Sequence, residues 1–311
     1  VDERVTTACR DDRQDGIGWA VCGASVTGRE HERRGLGCDD AYSYGVAGDF
    51  IVAAVADGAG SVTGTSAWGA HAACRSVLDN ALQSGFVDDY RTATPVQAEQ
   101  MLRWLFDEAL HRVTGQAEAL GLDAVLLSTT LSVAVVDRRL ASFGQIGDGV
   151  IAADVDGRIE TLLVERKDEY ANTTSFLQSE RAFEDSFRVS VRSGVTAFAL
   201  STDGMSYKIT NIATGEPYEP FFRGSWQHVR AGTGADQLAA LLRGIADDQT
   251  GDDKTLVLAA TGPSSILAGG SIGPYRVEWS EPPSQDGELT MAAVQSDSPS
   301  QSGRRRRWWR R

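Results

Sequence analysis

Residues 50–64 read FIVAAVADGAGSVTG, an apolar run that stops on a carboxylate followed by small residues. A short stretch this rich in β-branched side chains, closed by Asp57-Gly58, predicts a buried strand with Asp57 at the mouth of the core. The same arrangement recurs along the chain. Leu140 to Gly149 (LASFGQIGDG) leads to Asp148, Val195 to Gly204 (VTAFALSTDG) leads to Asp203, and Asp252-Asp253 stand before Thr255 to Ala260 (TLVLAA). Asp39-Asp40, in GCDDAYSYG, precede the strand Ala41 to Val46. Any one Asp-Gly is ordinary turn chemistry. Acids at so many strand ends instead predict gathered carboxylates, which a low-dielectric site tolerates only when a cation offsets their charge. Hard divalent ions with oxygen ligands suit that need. From the residues alone, the expectation is a Mg²⁺ or Mn²⁺ site built from strand ends.

The rest of the chain reads as a layered α+β arrangement. Ile17 to Val26 predicts a first strand, Thr27 to Gly37 a charged loop, and Phe50 to Ala56 the central strand. A small-residue helix follows Thr65 or Ser66. Residues 97–120 then form the strongest helical pattern, through Met101, Leu102, Leu105, Phe106, Ala109, Leu110, Val113, Ala117 and Leu120. Four strands between Leu131 and Val164 read as one meander making a second sheet. No crossover of a dozen residues separates these strands, so the pairing is expected to be antiparallel. Residues 165–188 read as a loop or short helical insert near the site, and 205–232 as irregular. Ala235 to Ala246 predicts a third amphipathic helix.

Composition changes near residue 261, which divides the chain into a folded domain, 1–261, and a Gly/Ser/Pro-rich tail, 262–311, expected to be flexible. Within the tail only Tyr275 to Trp279 resembles a strand. Its end, RRRRWWRR, would suit an anionic lipid, nucleic acid or acidic surface, or is simply a frayed chain end. The whole chain of 311 residues carries 30 basic and 43 acidic side chains, net −13. Without the six terminal arginines the count is 24 basic against 43 acidic, net −19, which argues against nucleic acid as a partner of the globular part. Four cysteines without CxxC spacing point to neither a zinc site nor a disulfide framework. With no long apolar run, the expectation is a cytoplasmic protein without a transmembrane segment, and a monomer.

In order along residues 17–260, CDDAY, VADGAGS, LLSTTLSV with GQIGDG, ALSTDG and DDKTLVL resemble the motifs of the bacterial metal-dependent Ser/Thr protein phosphatases, the PPM or type 2C class. The resemblance implies a four-layer αββα sandwich with two central antiparallel β-sheets. It implies hydrolysis of phosphoserine or phosphothreonine in proteins by water activated between two Mn²⁺ or Mg²⁺ ions. Asp57 would bridge the ions with the Gly58 carbonyl beside it, Asp39 would serve the second ion, and Asp203 and Asp252 the first. Asp148 would recruit a third, weaker ion, Asp40 would hold the water, and Thr130 would support the site. Asp253 stands where the family usually has Asn and would either tune the metal or face solvent.

The arginine that many members carry four residues before the first metal acid is Gly35 here. His31, which matches a divergent bacterial subgroup, is then the first candidate for phosphate binding and proton transfer, with Arg34 or Arg33 as alternatives. Glu169, Asn172 and Thr174 resemble that subgroup's flap. The expected partners are a phosphorylated protein and a Ser/Thr kinase or its targets. Alternatives are a small-molecule phosphoester hydrolase on the same centre, or a catalytically weak regulatory module.

Overall fold

The computed structural model describes residues 17–59, 64–164, 174–245, 250–263 and 276–283. The chain begins with β1 (Ile17–Val26), α1 (Arg29–Arg34), β2 (Ala41–Ala47) and β3 (Phe50–Ala56). Three helices follow: α2 (Ser66–Ala81), α3 (Ser84–Thr92) and α4 (Pro95–Leu120). Next come β4 (Leu131–Val136), β5 (Ala141–Ile146), β6 (Val150–Val155) and β7 (Arg158–Val164). After α5 (Ala182–Asp185), β8 (Arg188–Arg192) and β9 (Val195–Ser201) lie α6 (Ser206–Ile209), α7 (Glu219–Arg230) and α8 (Ala235–Gly244). The described chain closes with β10 (Lys254–Pro263) and β11 (Arg276–Trp279).

Two wholly antiparallel sheets result. One has the order β1-β10-β9-β6-β7, the other β11-β2-β3-β4-β5-β8. Their facing surfaces enclose a central layer containing Trp19, Ile51, Phe143, Phe198 and Val257. The outer face of the six-stranded sheet packs on α2, α3 and α4 through Phe50, Val52, Tyr90, Leu102 and Phe106. The five-stranded sheet packs on α7 and α8 through Leu258, Phe222, Trp226 and Leu242. The architecture is thus helix, sheet, sheet, helix, as the resemblance implies. β3 is buried along all seven residues, because a central strand between two apolar layers has no solvent face. α4 starts on a capping box, Thr94 with Gln97, has Pro95 in its first turn, and stops at the left-handed Gly121.

The strands from Leu131 to Val164 do not form one meander. β4 and β5 join the six-stranded sheet, while β6 and β7 join the other. The chain changes sheets at Gly147–Gly149, where Gly147 takes a positive φ of 117° that side chains rarely adopt. β1 is likewise in a different sheet from β2 and β3. The supposed loop after β1 contains the short helix α1, ended by a left-handed Gly35. The stretch read as irregular holds α6 and α7. Phe222, Ser225, Trp226 and Val229 carry the buried face of α7 at helical spacing, a pattern that Pro220 and Gly224 obscure in the sequence.

Two further differences lie at the boundary near residue 261. β10 continues to Pro263, and β11 pairs with β2 at the edge of the six-stranded sheet. β11 is anchored by side chains as well as by its ladder. The Tyr42 hydroxyl donates to Glu278 Oε1 at 3.0 Å, the Tyr44 hydroxyl donates to Glu278 Oε2, and the Arg75 guanidinium lies 4.0 Å over the Trp279 ring. The Arg/Trp cluster and Cys9 lie outside the described residues. Cys22, Cys38 and Cys74 are free thiols, and burial beside Glu278 pushes Cys22 up to about 12. Among the described residues no helix is long and apolar enough to cross a membrane.

Glu278→Ala should lower the unfolding free energy by about 1–3 kcal/mol, since two largely buried tyrosine hydroxyls lose their acceptor. Urea unfolding followed by tryptophan fluorescence measures this. An unchanged midpoint would mean that water replaces the carboxylate without cost.

Candidate functional site

The strand registers bring the acids together. β2 pairs with β3 from Ala41↔Ala56, so Asp39-Asp40 and Asp57 are neighbours just beyond that ladder. Leu256↔Ser201 sets Asp252-Asp253 beside Asp203, and Val150↔Ser201 sets Asp148 beside the same end of β9. β4 and β5 pair at Leu131↔Ile146, which places Thr130 against Gly147. Thr130 N–H donates to the Asp57 carbonyl at 2.9 Å, and Asp57 N–H donates to Thr130 Oγ1 at 3.0 Å. Gly58 N–H donates to the Asp39 carbonyl at 3.1 Å, which joins the second and third strand ends. Gly204 packs so closely that a Cβ there would stand 1.9 Å from the Asp253 carbonyl oxygen.

Burial and mutual repulsion dominate the electrostatics. Burial raises the Asp57 carboxyl well above the usual range, and Asp40, Asp203, Asp252 and Asp148 push it further in the same direction. Asp40 is also raised well above that range, first by burial and then by Asp253, although Thr202 Oγ1 donates to it at 2.7 Å. Asp39 is raised by burial and partly relieved by Ser66 Oγ, which donates at 2.8 Å. Thr174 Oγ1 donates to Asp148 Oδ2 at 2.8 Å. Arg188, on β8, donates to the carbonyl of Gly147.

The residues near α1 have several distinct settings. Asp253 does not face solvent. It is 2% exposed and accepts from Gly28 N–H at 2.6 Å, Asp39 N–H at 2.6 Å and His31 Nδ1 at 2.9 Å. His31 is buried rather than free in a charged loop. Arg33 pairs with Glu30, Arg34 is exposed, and Gly35 caps the helix. Glu169 and Asn172 lie outside the described residues.

Thr202 and Ser66 were not singled out in the sequence, although each adjoins a recognised feature: Thr202 precedes Asp203 in STDG, and Ser66 opens α2. Nothing local in the sequence marks Gly28 or Arg188.

The donor set is all hard oxygen, and its crowded carboxylates lack charge balance among themselves, so it fits a divalent cation in chemical type. Among the described residues, however, no three His, Cys, Asp or Glu side chains are already gathered closely enough to hold an ion.

The sequence matches the family model for protein phosphatase 2C over residues 27–243. The fold is similar to the crystal structure of a bacterial serine phosphatase, with a TM-score of 0.51 at 17% identity, covering 77% of this chain and 96% of that one. It is similar to serine/threonine phosphatase Stp1 from Staphylococcus aureus, with a TM-score of 0.52 at 14% identity over 84% and 99% of the two chains. A C. elegans sex determining protein is similar too, with a TM-score of 0.51 at 13% identity over 81% of this chain and 66% of that one. At such identities the likeness is one of fold. No curated protein matches in sequence.

Because Asp57 is half-buried among like charges, Asp57→Asn should raise the melting temperature of the metal-free protein by about 2–4 °C, equivalent to about 1 kcal/mol for a domain of this size. Differential scanning calorimetry in the presence of a chelator is the measurement. An equal or lower melting temperature would show that the repulsion is already relieved in the folded state.

Proposed function

The chain belongs to the protein phosphatase 2C family, and on that premise we propose that it hydrolyses phosphoserine or phosphothreonine in proteins with the aid of Mn²⁺ or Mg²⁺. The observation that carries this reading is the convergence of Asp40, Asp148, Asp203 and Asp252 on Asp57, from strand ends spread over most of the chain. Asp39, Asp57, Asp203, Asp252 and the Gly58 carbonyl would hold two ions, and Asp148 a third, weaker one. When bound, such ions offset the carboxylate charge, acidify water and neutralise charge developing on the phosphoryl group.

The side chains have separable tasks around that chemistry. Asp40, which accepts from Thr202 Oγ1, would orient the attacking water. Thr130 holds the backbone at Asp57 from both sides, so the central ligand is set by the β3–β4 register. Arg34 stands exposed in the last turn of α1, next to the position where the common arginine is missing, and supplies the cation for the substrate phosphate. Thr174 Oγ1 donates to Asp148, and Thr174, with Glu169 and Asn172 as the resemblance implies, would belong to a flap that governs access by a phosphoprotein. A Ser/Thr kinase acting on the same target would generate the substrate.

Turnover of an aryl phosphate and of a phosphothreonine peptide, with EDTA and with added Mn²⁺ or Mg²⁺, tests the proposal. Activity should require the metal, and Asp57→Asn and Asp203→Asn should each reduce turnover by about 10²-fold or more. Arg34→Ala should mainly raise KM. Full activity after exhaustive chelation, or in either aspartate variant, would reduce these carboxylates to turn residues. Turnover of the aryl ester without the peptide would favour a small phosphoester as substrate.

A further inference from the structure

We propose that His31 and Asp253 form a positioning pair that holds Asp39 and Asp40 in register with Asp252, and that the imidazole does not touch the substrate. The proposal rests on the phosphatase reading for its kinetic readout alone. Asp253 gathers three donors from the far end of the sequence: the amides of Gly28 and Asp39 and the His31 ring. Two of them, Asp39 N–H and His31 Nδ1, converge on the same oxygen, Oδ2. Bonds to an ionised carboxylate are the short, strong kind.

α1 is only six residues long and cannot hold its place by its own packing. It is strapped instead to the turn before β10. Glu30 N–H donates to the Gly251 carbonyl at 2.9 Å, next to the bonds that Gly28 and His31 make to Asp253. The residues joining α1 to β2 include both Asp39 and Asp40. One carboxylate therefore sets the distance between this acidic pair and the adjoining Asp252, at the junction of the two sheets.

The bond also decides what the imidazole can do. A carboxylate cannot donate, so Nδ1 carries the hydrogen and, in the neutral ring, Nε2 is left as an acceptor. The ring's buried position and its bond to Asp253 give it a structural partner that reaches the backbone of Asp39 directly.

Asparagine separates the two roles, since its Nδ2 is attached at Cγ as Nδ1 is, yet it cannot titrate in place of the ring. Leucine keeps comparable bulk without a donor. Mn²⁺ binding to the metal-free proteins, measured by calorimetry, should be weakened about 10-fold or more in His31→Leu but by no more than about 3-fold in His31→Asn. At saturating Mn²⁺ both should turn over an aryl phosphate within about 3-fold of the parent, and His31→Asn should keep the parent pH profile. Equal loss of saturated turnover in both variants, with loss of one limb of the pH profile, would overturn the proposal and make His31 a proton carrier. Lowered melting temperatures with unchanged Mn²⁺ affinity in both would also overturn it, leaving a merely structural contact. If the parent hydrolyses no phosphate ester, the phosphatase reading falls while the calorimetric comparison still decides this one. Absence of Mn²⁺ binding to the parent overturns both.

Discussion

Repulsion among carboxylates at one end of the double sheet is the constraint around which this structure is arranged. Asp57 is half-buried, and Asp40, Asp148, Asp203 and Asp252 all act on it in the same unfavourable direction. Crowding like charges away from water is among the costlier features a fold can carry. Here it is tolerated because three apolar layers lie elsewhere, one between the sheets and one beneath each set of helices. Hydroxyl donors at Ser66, Thr174 and Thr202 give partial relief. The remaining imbalance is of the kind that a hard divalent cation offsets.

Adjacent acids have opposite surroundings in this arrangement. Asp252 belongs to the group that acts on Asp57, whereas Asp253 turns into the protein and collects donors from Gly28, His31 and Asp39. The first is suited to a cation and the second to backbone amides. That division lets one turn serve both as part of the acidic site and as the clasp for α1. The close approach of Gly204 to the Asp253 carbonyl holds the same turn from the side of β9.

Away from the acidic end, β11 shows how a short polar segment becomes part of a sheet. Its two apolar residues, Val277 and Trp279, stay exposed, and it is held on β2 through its ladder, the two tyrosine bonds to Glu278 and the Arg75–Trp279 stack. By covering β2, it moves the open edge of the sheet to a strand of only four residues, and a short edge is a poor template for another chain.

Continuous apolar runs ending in Asp-Gly made β3, β5 and β9 legible from the amino-acid sequence, because a strand buried on both faces has no polar alternation and must stop where the carboxylate begins. The same runs placed Asp57, Asp148 and Asp203 at strand ends, and the helical spacing of α4 was as clear. Apolar pattern reports burial but not the pairing partner, so the division of β4 to β7 between two sheets was decided only in the tertiary structure. The strand pattern of residues 275–279 was legible too, but its pairing was not, because the partner that draws it out of the tail is β2, more than 200 residues earlier. His31 lies among charged neighbours that suggest a solvated loop, yet its partner is 222 residues away in sequence. Local sequence fixes what a residue can donate or accept, and only the folded register decides which group stands opposite it.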